Sequence, residues 1–272
     1  EFRRVLFRSK QPFFAWMLPV ALAGVCGFFW NKQITQLKED TLVMVRNFYG
    51  TLRVKDVGTA ESDDGMRRLI HGVILHGEQY LKPTRRDLAT TYYGPDSGVV
   101  LAIKNTAQQD QRVGVIGLGT GTLAVWGKPG DNYHFYDINP QVVDIARTDF
   151  TYLNDSKAKI DVSLGDARLS LEREAPHDFD VLAVDAFSSD SIPVHLITRE
   201  AMAVYLKHIK PGGAIVFHVT NRFLKLAPVV KQIADDLQLH TALISDEAED
   251  TNYSKTDWVI VTRDKEIGRA HV

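Results

Sequence analysis

The second half of the chain consists of short apolar runs that alternate with amphipathic segments. From position 112 onward, most of the apolar runs are followed by a glycine or an acidic residue. Strand-like runs that alternate with helix-like segments predict an α/β domain with a doubly wound, Rossmann-like parallel sheet. The strand-like cores are Val113–Ile116, His134–Tyr136, Ile160–Leu164, Val181–Val184 and Ala214–Val219, and the helix-like segments are Val142–Arg147, Glu200–Ile209 and Val229–Leu237.

Two further apolar runs follow this core, at His240–Ser245 and Asp257–Thr262. The acidic segment between them is short, which predicts a terminal hairpin and therefore an antiparallel edge. Five parallel strands with a terminal hairpin are the outline of a methyltransferase-type sheet. We expect this domain to span residues 95–265, with a helix over Ser97–Asn105 packed on the sheet.

The region before this domain predicts a connector and a small β domain, together covering residues 32–94. Asn47–Val54 alternates apolar and polar residues, which is typical of a strand. Arg68–His76 and Gln79–Leu81 predict two more short strands of the same antiparallel region. Ile34–Arg46 is expected to be the connector.

A long apolar run stands near the start of the chain. Phe13–Trp30 carries no charge and has aromatic residues at both ends. Its roughly 18 residues reach the lower limit for crossing a bilayer, and aromatic residues favour both interfaces. The alternatives are a buried core helix and a signal-peptide core, although no small-residue cleavage site follows. We predict a transmembrane helix within residues 10–31.

The two ends of the chain predict sequence that is not native. Residues 1–9 and 266–272 resemble translated sequencing adapters, so the authentic chain is expected to run from about Lys10 to about Lys265 as a fragment of a longer gene. The net charge of −2 gives no electrostatic reason to expect nucleic acid as a partner. Cys26 is the single cysteine, which excludes a disulfide framework.

The glycine-rich turn after the first core strand predicts a nucleoside site. Gly117, Gly119 and Gly121 allow a ligand to approach the backbone without side chains in the way. A dinucleotide fingerprint has Gly or Ala at the sixth position. Here that position is Thr122, which favours an adenosylmethionine-type ligand. Asp137 ends the next strand, where an acid meets ribose hydroxyls.

Three more acids carry candidate chemistry. Asp166 follows the third core strand and can accept a hydrogen bond from an adenine amine, cap the helix over residues 167–172, or do both. Asp185 ends the fourth strand, where a carboxylate can hold or deprotonate an amine. Asp190 can hold a second amine or cap its own serine-rich loop. No metal is predicted, and the histidines interpreted as ordinary packed or surface residues are His195, His208 and His218.

These motifs resemble the spermidine synthase family, and more closely the membrane-fused spermidine synthase-like proteins of bacteria, from Asn47 to about Asp264. The resemblance implies an enzyme that transfers an aminopropyl group from decarboxylated S-adenosylmethionine to a diamine. It implies that Asp185 is the amine-deprotonating base and that Asp190 is the second catalytic acid. The implied donor-binding residues are Gly117, Gly119, Gly121, Asp137, Ile138, Asp166 and Ala167. The candidate acceptor-binding residues are Tyr49, Tyr93 and Gln79, of which Gln79 is expected to compensate for family residues that this chain lacks.

The acceptor half of the sequence departs from the family pattern. Tyr49-Gly50 stands where the family has Tyr-Gln, and Tyr92-Tyr93-Gly94 stands where it has Tyr-His-Glu. Three functions therefore stay open: a membrane-anchored aminopropyltransferase, a methyltransferase that uses S-adenosylmethionine on an unknown small acceptor, and a non-catalytic nucleoside-binding domain of a membrane transporter. We also expect a bacterial inner-membrane location with the catalytic domain in the cytoplasm, and a possible homodimer.

Overall fold

The computed structural model of the chain describes residues 14–38, 40–106, 109–186, 193–221, 223–248 and 253–265. The chain divides into two compact units, one up to Thr41 and one from Leu42 onward. The predicted adapter-derived ends, residues 1–9 and 266–272, lie outside the described residues, as does the candidate catalytic residue Asp190.

The first unit contains the helix α1, Phe14–Lys38. In the part of the chain that the structure describes, no helix has both the length and the apolar character needed to span a membrane. The apolar run gives way to Asn31, Lys32 and Gln33 inside this helix. This finding does not support the predicted transmembrane segment at Phe13–Trp30 and contradicts the predicted inner-membrane location, and the membrane partner is not confirmed.

A four-stranded antiparallel sheet opens the second unit, in the spatial order β1-β2-β3-β4. A turn at Phe48 and Tyr49 divides the predicted strand Asn47–Val54, and a turn at Gly72 and Val73 divides Arg68–His76. Gly72 has a φ of 63°, a left-handed conformation that suits a tight turn. The four strands are β1 Thr41–Asn47, β2 Gly50–Val57, β3 Met66–His71 and β4 Ile74–Tyr80.

The main sheet has seven strands in the order β10-β11-β9-β8-β5-β6-β7. The five strands from β5 to β9 pair in parallel, whereas β11 runs antiparallel to both β9 and β10. This is the predicted doubly wound sheet with a terminal hairpin. The strands are β5 Arg112–Ile116, β6 Asn132–Asp137, β7 Lys159–Leu164, β8 Phe179–Val184, β9 Ile209–His218, β10 His240–Asp246 and β11 Thr256–Thr262.

Helices connect the strands of the main sheet and begin with side-chain caps where polar residues allow it. Asn139 accepts a hydrogen bond from the Gln141 amide, and Thr198 accepts one from the Ala201 amide. Such caps satisfy amide groups that have no partner within the helix. A short 3₁₀ helix, Thr122–Trp126, follows the glycine-rich turn. The α-helices are α2 Gly98–Asn105, α3 Pro140–Thr148, α4 Tyr152–Asp155, α5 Ala167–Arg173, α6 Arg199–His208 and α7 Ala227–Asp236.

The central strands are buried on both faces, which explains their continuous apolar runs. In β5, Val113 and Val115 belong to one core cluster, whereas Ile116 belongs to the cluster on the opposite face. In β8 every residue is buried. The chain proceeds from β5 to β6 and β7 on one side and then crosses to β8 on the other. The order of the sheet therefore reverses beside β5, and ligands bind in the crevice at such a point.

Two histidines make the stability of this domain sensitive to acid. Burial lowers the pKa of His134 and of His208, and the neighbouring His177 lowers both further. The unfolded chain, with histidines near pKa 6.5, therefore binds protons before the folded chain does. The stabilising effect of keeping these side chains neutral is present above pH of about 6.5 and is lost as the pH falls below it.

We expect the free energy of unfolding to fall between about pH 8 and about pH 5.5. The matched variant is His208→Gln, because a glutamine amide can replace the hydrogen bond that His208 Nε2 makes to the Leu171 carbonyl at 2.7 Å. This variant cannot titrate, so it should lose less stability over the same range in urea denaturation. Equal losses in the two proteins would contradict the prediction.

Candidate active site

A cleft lies at the carboxyl ends of the parallel strands, at the crevice beside β5. It contains about 900 Å³ of empty space, its open mouth included. Its walls come from the turns after the central strands and from the small antiparallel sheet. Among the described residues, no group of His, Cys, Asp and Glu side chains could hold a metal ion.

The glycine-rich turn forms the floor of the cleft where it passes the end of β8. Gly117 and Gly119 line the cleft. Gly117 has a φ of 101°, and a Cβ atom there would lie 2.2 Å from the carbonyl oxygen of Asp185. Only glycine fits this crossing. Gly121 is not among the residues that line the cleft. A Cβ atom at that position would meet the side chain of Leu153.

Asp137 occupies the wall at the end of β6. Its Oδ2 accepts a hydrogen bond from the Leu118 amide at 3.0 Å, and its Oδ1 accepts one from the Asn139 amide at 2.8 Å. Burial raises the pKa of the Asp137 carboxyl, against the opposing effect of these two amides. Each oxygen keeps a second lone pair for a ligand. Ile138, the next residue, is exposed and also lines the cleft.

Asp166 lies at another wall of the cleft, together with Ala167. Its Oδ1 accepts a hydrogen bond from the Leu169 amide at 2.9 Å, so it is the N-cap of α5. Its Oδ2 accepts one from Nε2 of His195 at 2.7 Å. His195 belongs to a short 3₁₀ helix that also lines the cleft. The capping role is therefore present, and the second oxygen faces an imidazole.

Asp185 is the most buried acid of the cleft, with a side chain that is 2% exposed. Its Oδ2 accepts a hydrogen bond from the Tyr93 hydroxyl at 2.5 Å. Its Oδ1 lies 2.7 Å from Nδ1 of His218, which must donate because a carboxylate only accepts. Burial and the charge of Asp185 raise the pKa of Tyr93 well above its usual value, so the phenol keeps the proton that it donates.

The small sheet supplies the wall opposite the acids. Tyr49, His71 and His76 line the cleft there, and Tyr92 joins Tyr93 from the segment before α2. A hydrogen bond of 2.8 Å links His71 Nε2 to the carbonyl of Tyr49. The rings of His71 and His76 have centroids 5.2 Å apart. This wall is therefore aromatic and imidazole-rich.

Gln79 lies outside the cleft and serves a different purpose. Its side chain is buried, donates to the carbonyl of Arg86 at 2.8 Å and accepts from the Thr151 amide at 3.0 Å. These bonds tie the small sheet to the segment before α4. Gln79 was predicted to contact the acceptor in place of family residues that this chain lacks, but its side chain points into the protein interior and not into the cleft.

Four histidines in or beside the cleft were missed at the sequence level or interpreted as ordinary. They are His71, His76, His195 and His218. A signal for His218 was present, because it ends the strand that pairs with β8 and so lies beside Asp185. No comparable signal marks His195, whose position depends on a short 3₁₀ helix.

Comparisons with known proteins found relatives of this chain among curated proteins and solved structures. No family model matches the chain. A Bifidobacterium longum protein named "Probable polyamine aminopropyl transferase" is 29% identical over 203 residues, which are 73% of this chain and 40% of that protein. A Vibrio vulnificus protein named "Polyamine aminopropyltransferase" is 29% identical over 111 residues, which are 39% of this chain and 36% of that protein. The chain thus matches well under half the length of either relative.

Solved structures agree in the fold. A spermidine synthase from Thermotoga maritima has a TM-score of 0.58 and 12% identity, with 83% of this chain and 73% of that chain covered. The fold defines a Rossmann-like protein of the methyltransferase type. The curated relatives confirm the resemblance found in the motifs, and the chain is related to the spermidine synthase family. They do not show the membrane-fused form.

The crossing of Gly117 over Asp185 can be tested by adding one methyl group. Gly212 has a φ of 80° but has no atom within 4 Å of a Cβ placed there. Gly212→Ala should therefore lose only about 1–2 kcal/mol from left-handed strain. Gly117→Ala should lose more free energy of unfolding, measured by urea denaturation, because the backbone must also move away from Asp185. Equal losses in the two variants would show that the crossing is not tight.

Proposed function

We propose that this chain is an aminopropyltransferase that moves the aminopropyl group of decarboxylated S-adenosylmethionine to an amine of a small diamine. The observation that carries the proposal is the buried carboxylate of Asp185, which lines the cleft at the end of β8 and has a fixed partner on each oxygen. The curated relatives named as polyamine aminopropyltransferases support it. A membrane anchor is not part of the proposal.

The nucleoside half of the donor suits the walls around the glycine-rich turn. The free lone pairs of Asp137 can accept hydrogen bonds from two ribose hydroxyls, because only one lone pair of each oxygen is used by a backbone amide. Gly117 and Gly119 leave room for the donor to pass close to the backbone. Ile138 and Ala167 offer apolar contacts, and Asp166 or its partner His195 can meet the adenine amine.

The chemical role of Asp185 follows from its place in the cleft. A diamine nitrogen attacks the aminopropyl carbon, a new C–N bond forms, and the C–S bond breaks with its electron pair retained by sulfur. The attacking nitrogen must lose one proton, and Asp185 can accept it. The products are the extended amine and neutral methylthioadenosine.

We propose that Asp190 and Tyr49 meet the far end of the diamine. The homodimer also remains a prediction.

The ribose role of Asp137 predicts a large loss of nucleoside affinity in Asp137→Ala. Hydrogen bonds to a charged group contribute about 1.5–3 kcal/mol each, so the affinity for methylthioadenosine should fall more than about tenfold. The matched control is Asp144→Ala, since Asp144 is exposed on the helix that follows Asp137. Calorimetric titration with methylthioadenosine measures the affinity of both variants. Unchanged affinity in a folded Asp137→Ala protein would exclude the ribose role.

Asp185→Asn should slow transfer far more than it weakens binding. General-base catalysis contributes about 10²–10⁴-fold, and single-turnover transfer from decarboxylated S-adenosylmethionine to putrescine should slow by that order. The affinity for the donor should change little, because the ribose contacts belong to Asp137. Asp178→Asn is the matched control, because Asp178 is exposed in the segment just before β8.

The wild-type protein gives the deciding comparison. Tight donor binding without transfer to any diamine would overturn the proposal and favour a non-catalytic nucleoside-binding domain. Methyl transfer from S-adenosylmethionine to an acceptor, without aminopropyl transfer, would assign the chain to the methyltransferases instead. Transfer that persists at full rate in Asp185→Asn would leave the reaction in place but remove Asp185 as its base.

A further inference from the structure

We infer that His218 is a positioning residue for the reaction, because it fixes the carboxylate of Asp185 in the orientation that receives the proton. The inference rests on the proposed function and extends it to a residue that no motif marks. His218 is the last residue of β9, and the neighbouring pair Val184 and Phe217 is in register between β8 and β9. The parallel pairing therefore brings the two side chains together at the strand ends.

A carboxylate at the end of a strand is not held by its own rotamer. The last torsion of an aspartate joins an sp³ carbon to an sp² carbon, and such torsions have broad minima. One hydrogen bond leaves the group free to swing about the bonded oxygen. Asp185 has a bond on each oxygen, from Tyr93 to Oδ2 and from His218 to Oδ1. Two bonds on separate oxygens fix the plane of the carboxylate and the direction of its remaining lone pairs.

The imidazole of His218 is itself held on both faces and at its far nitrogen. It stacks on Tyr92 with ring centroids 4.7 Å apart and on Trp258 with centroids 4.5 Å apart. Its Nε2 lies 3.0 Å from the Thr220 hydroxyl and 3.1 Å from the Thr256 hydroxyl. A ring with these contacts cannot rotate, so Nδ1 is held toward Asp185.

His218 acts through Asp185 and not on the substrate. The side chain is buried and is not among the residues that line the cleft, whereas Asp185, Tyr93 and Tyr92 are. A proton taken from the amine therefore goes to Asp185, because His218 is not among the residues that line the cleft. Precise support of a reacting group matters because a misplacement of about 1 Å can cost about 10²-fold in rate. The stack on Tyr92 also connects the orientation of Asp185 to the wall of the cleft.

A pair of amide variants separates positioning from packing. In His218→Asn the side-chain amide can occupy the place of Nδ1 and still donate to Asp185. In His218→Gln the amide reaches the place of Nε2, near Thr220 and Thr256, and loses the bond to Asp185. Both variants replace the ring by an uncharged amide, and both lose its stacking on Tyr92 and Trp258.

The measurements are kcat and KM for transfer to putrescine, methylthioadenosine affinity and the thermal midpoint, all on the full chain. We expect His218→Gln to lower kcat by about 10–10²-fold, with donor KM and methylthioadenosine affinity within about twofold of wild type. His218→Asn should recover most of kcat. This pattern, with similar thermal midpoints for the two variants, would support positioning.

Other outcomes overturn the inference in distinguishable ways. If wild type transfers but both variants keep full kcat, or lose it equally, the bond to Asp185 has no specific role. If both variants unfold or lose nucleoside affinity, His218 is a packing residue. If wild-type protein binds methylthioadenosine but transfers no aminopropyl group, the proposed function fails, and the role of His218 in it fails as well.

Discussion

The close parallel pairing of β5 with β8 is the constraint on which the site depends. The Asp185 amide donates to the carbonyl of Ile116 at 2.8 Å, which extends the hydrogen bonding between β5 and β8 one residue past the end of β8. Gly117 then crosses so near to Asp185 that no side chain fits between them. The glycine-rich turn and the catalytic candidate are thus two sides of one contact.

The neighbouring strands place the remaining acids by the same geometry. Gly117 donates its amide to the carbonyl of Tyr136, which aligns the end of β6 with the turn and brings Asp137 to the Leu118 amide. The small sheet forms the other side of the cleft and is attached to the end of β6 by a hydrogen bond. Asn47 donates to the Asn139 side chain at 2.6 Å, directly beside Asp137. The two sheets therefore form one cleft instead of two separate surfaces.

The main sheet and the acids at its edge could be predicted from the sequence. The runs of apolar residues indicate the strands, and the residues that end those runs indicate the edge of the sheet. Buried parallel strands have continuous apolar runs, and a residue that ends such a run lies at the ligand-binding edge. Gly117, Gly119, Asp137, Asp166 and Asp185 all line the cleft for this reason. The short turns of the small sheet were harder to predict, because Phe48 and Tyr49 are strand-favouring residues that form a turn here.

The features that sequence could not supply depend on contacts between distant segments. Gln79 was assigned to the acceptor, yet it hydrogen-bonds Thr151, 72 residues away in sequence. His218 was interpreted as an ordinary histidine, although the register of two strands places it against Asp185. The transmembrane prediction failed for another reason. It rested on the number of uncharged residues in Phe13–Trp30, and it did not consider the polar residues that follow within the same helix.

We propose that a nucleoside lies along the glycine-rich turn with its reactive end toward Asp185. A crystal structure of the full chain with methylthioadenosine bound tests this arrangement most directly. We expect the ribose hydroxyls on the carboxylate of Asp137, and the sulfur on the Asp185 side of Gly117. Methylthioadenosine bound outside this cleft, or bound with its adenine against Asp185, would rule this arrangement out.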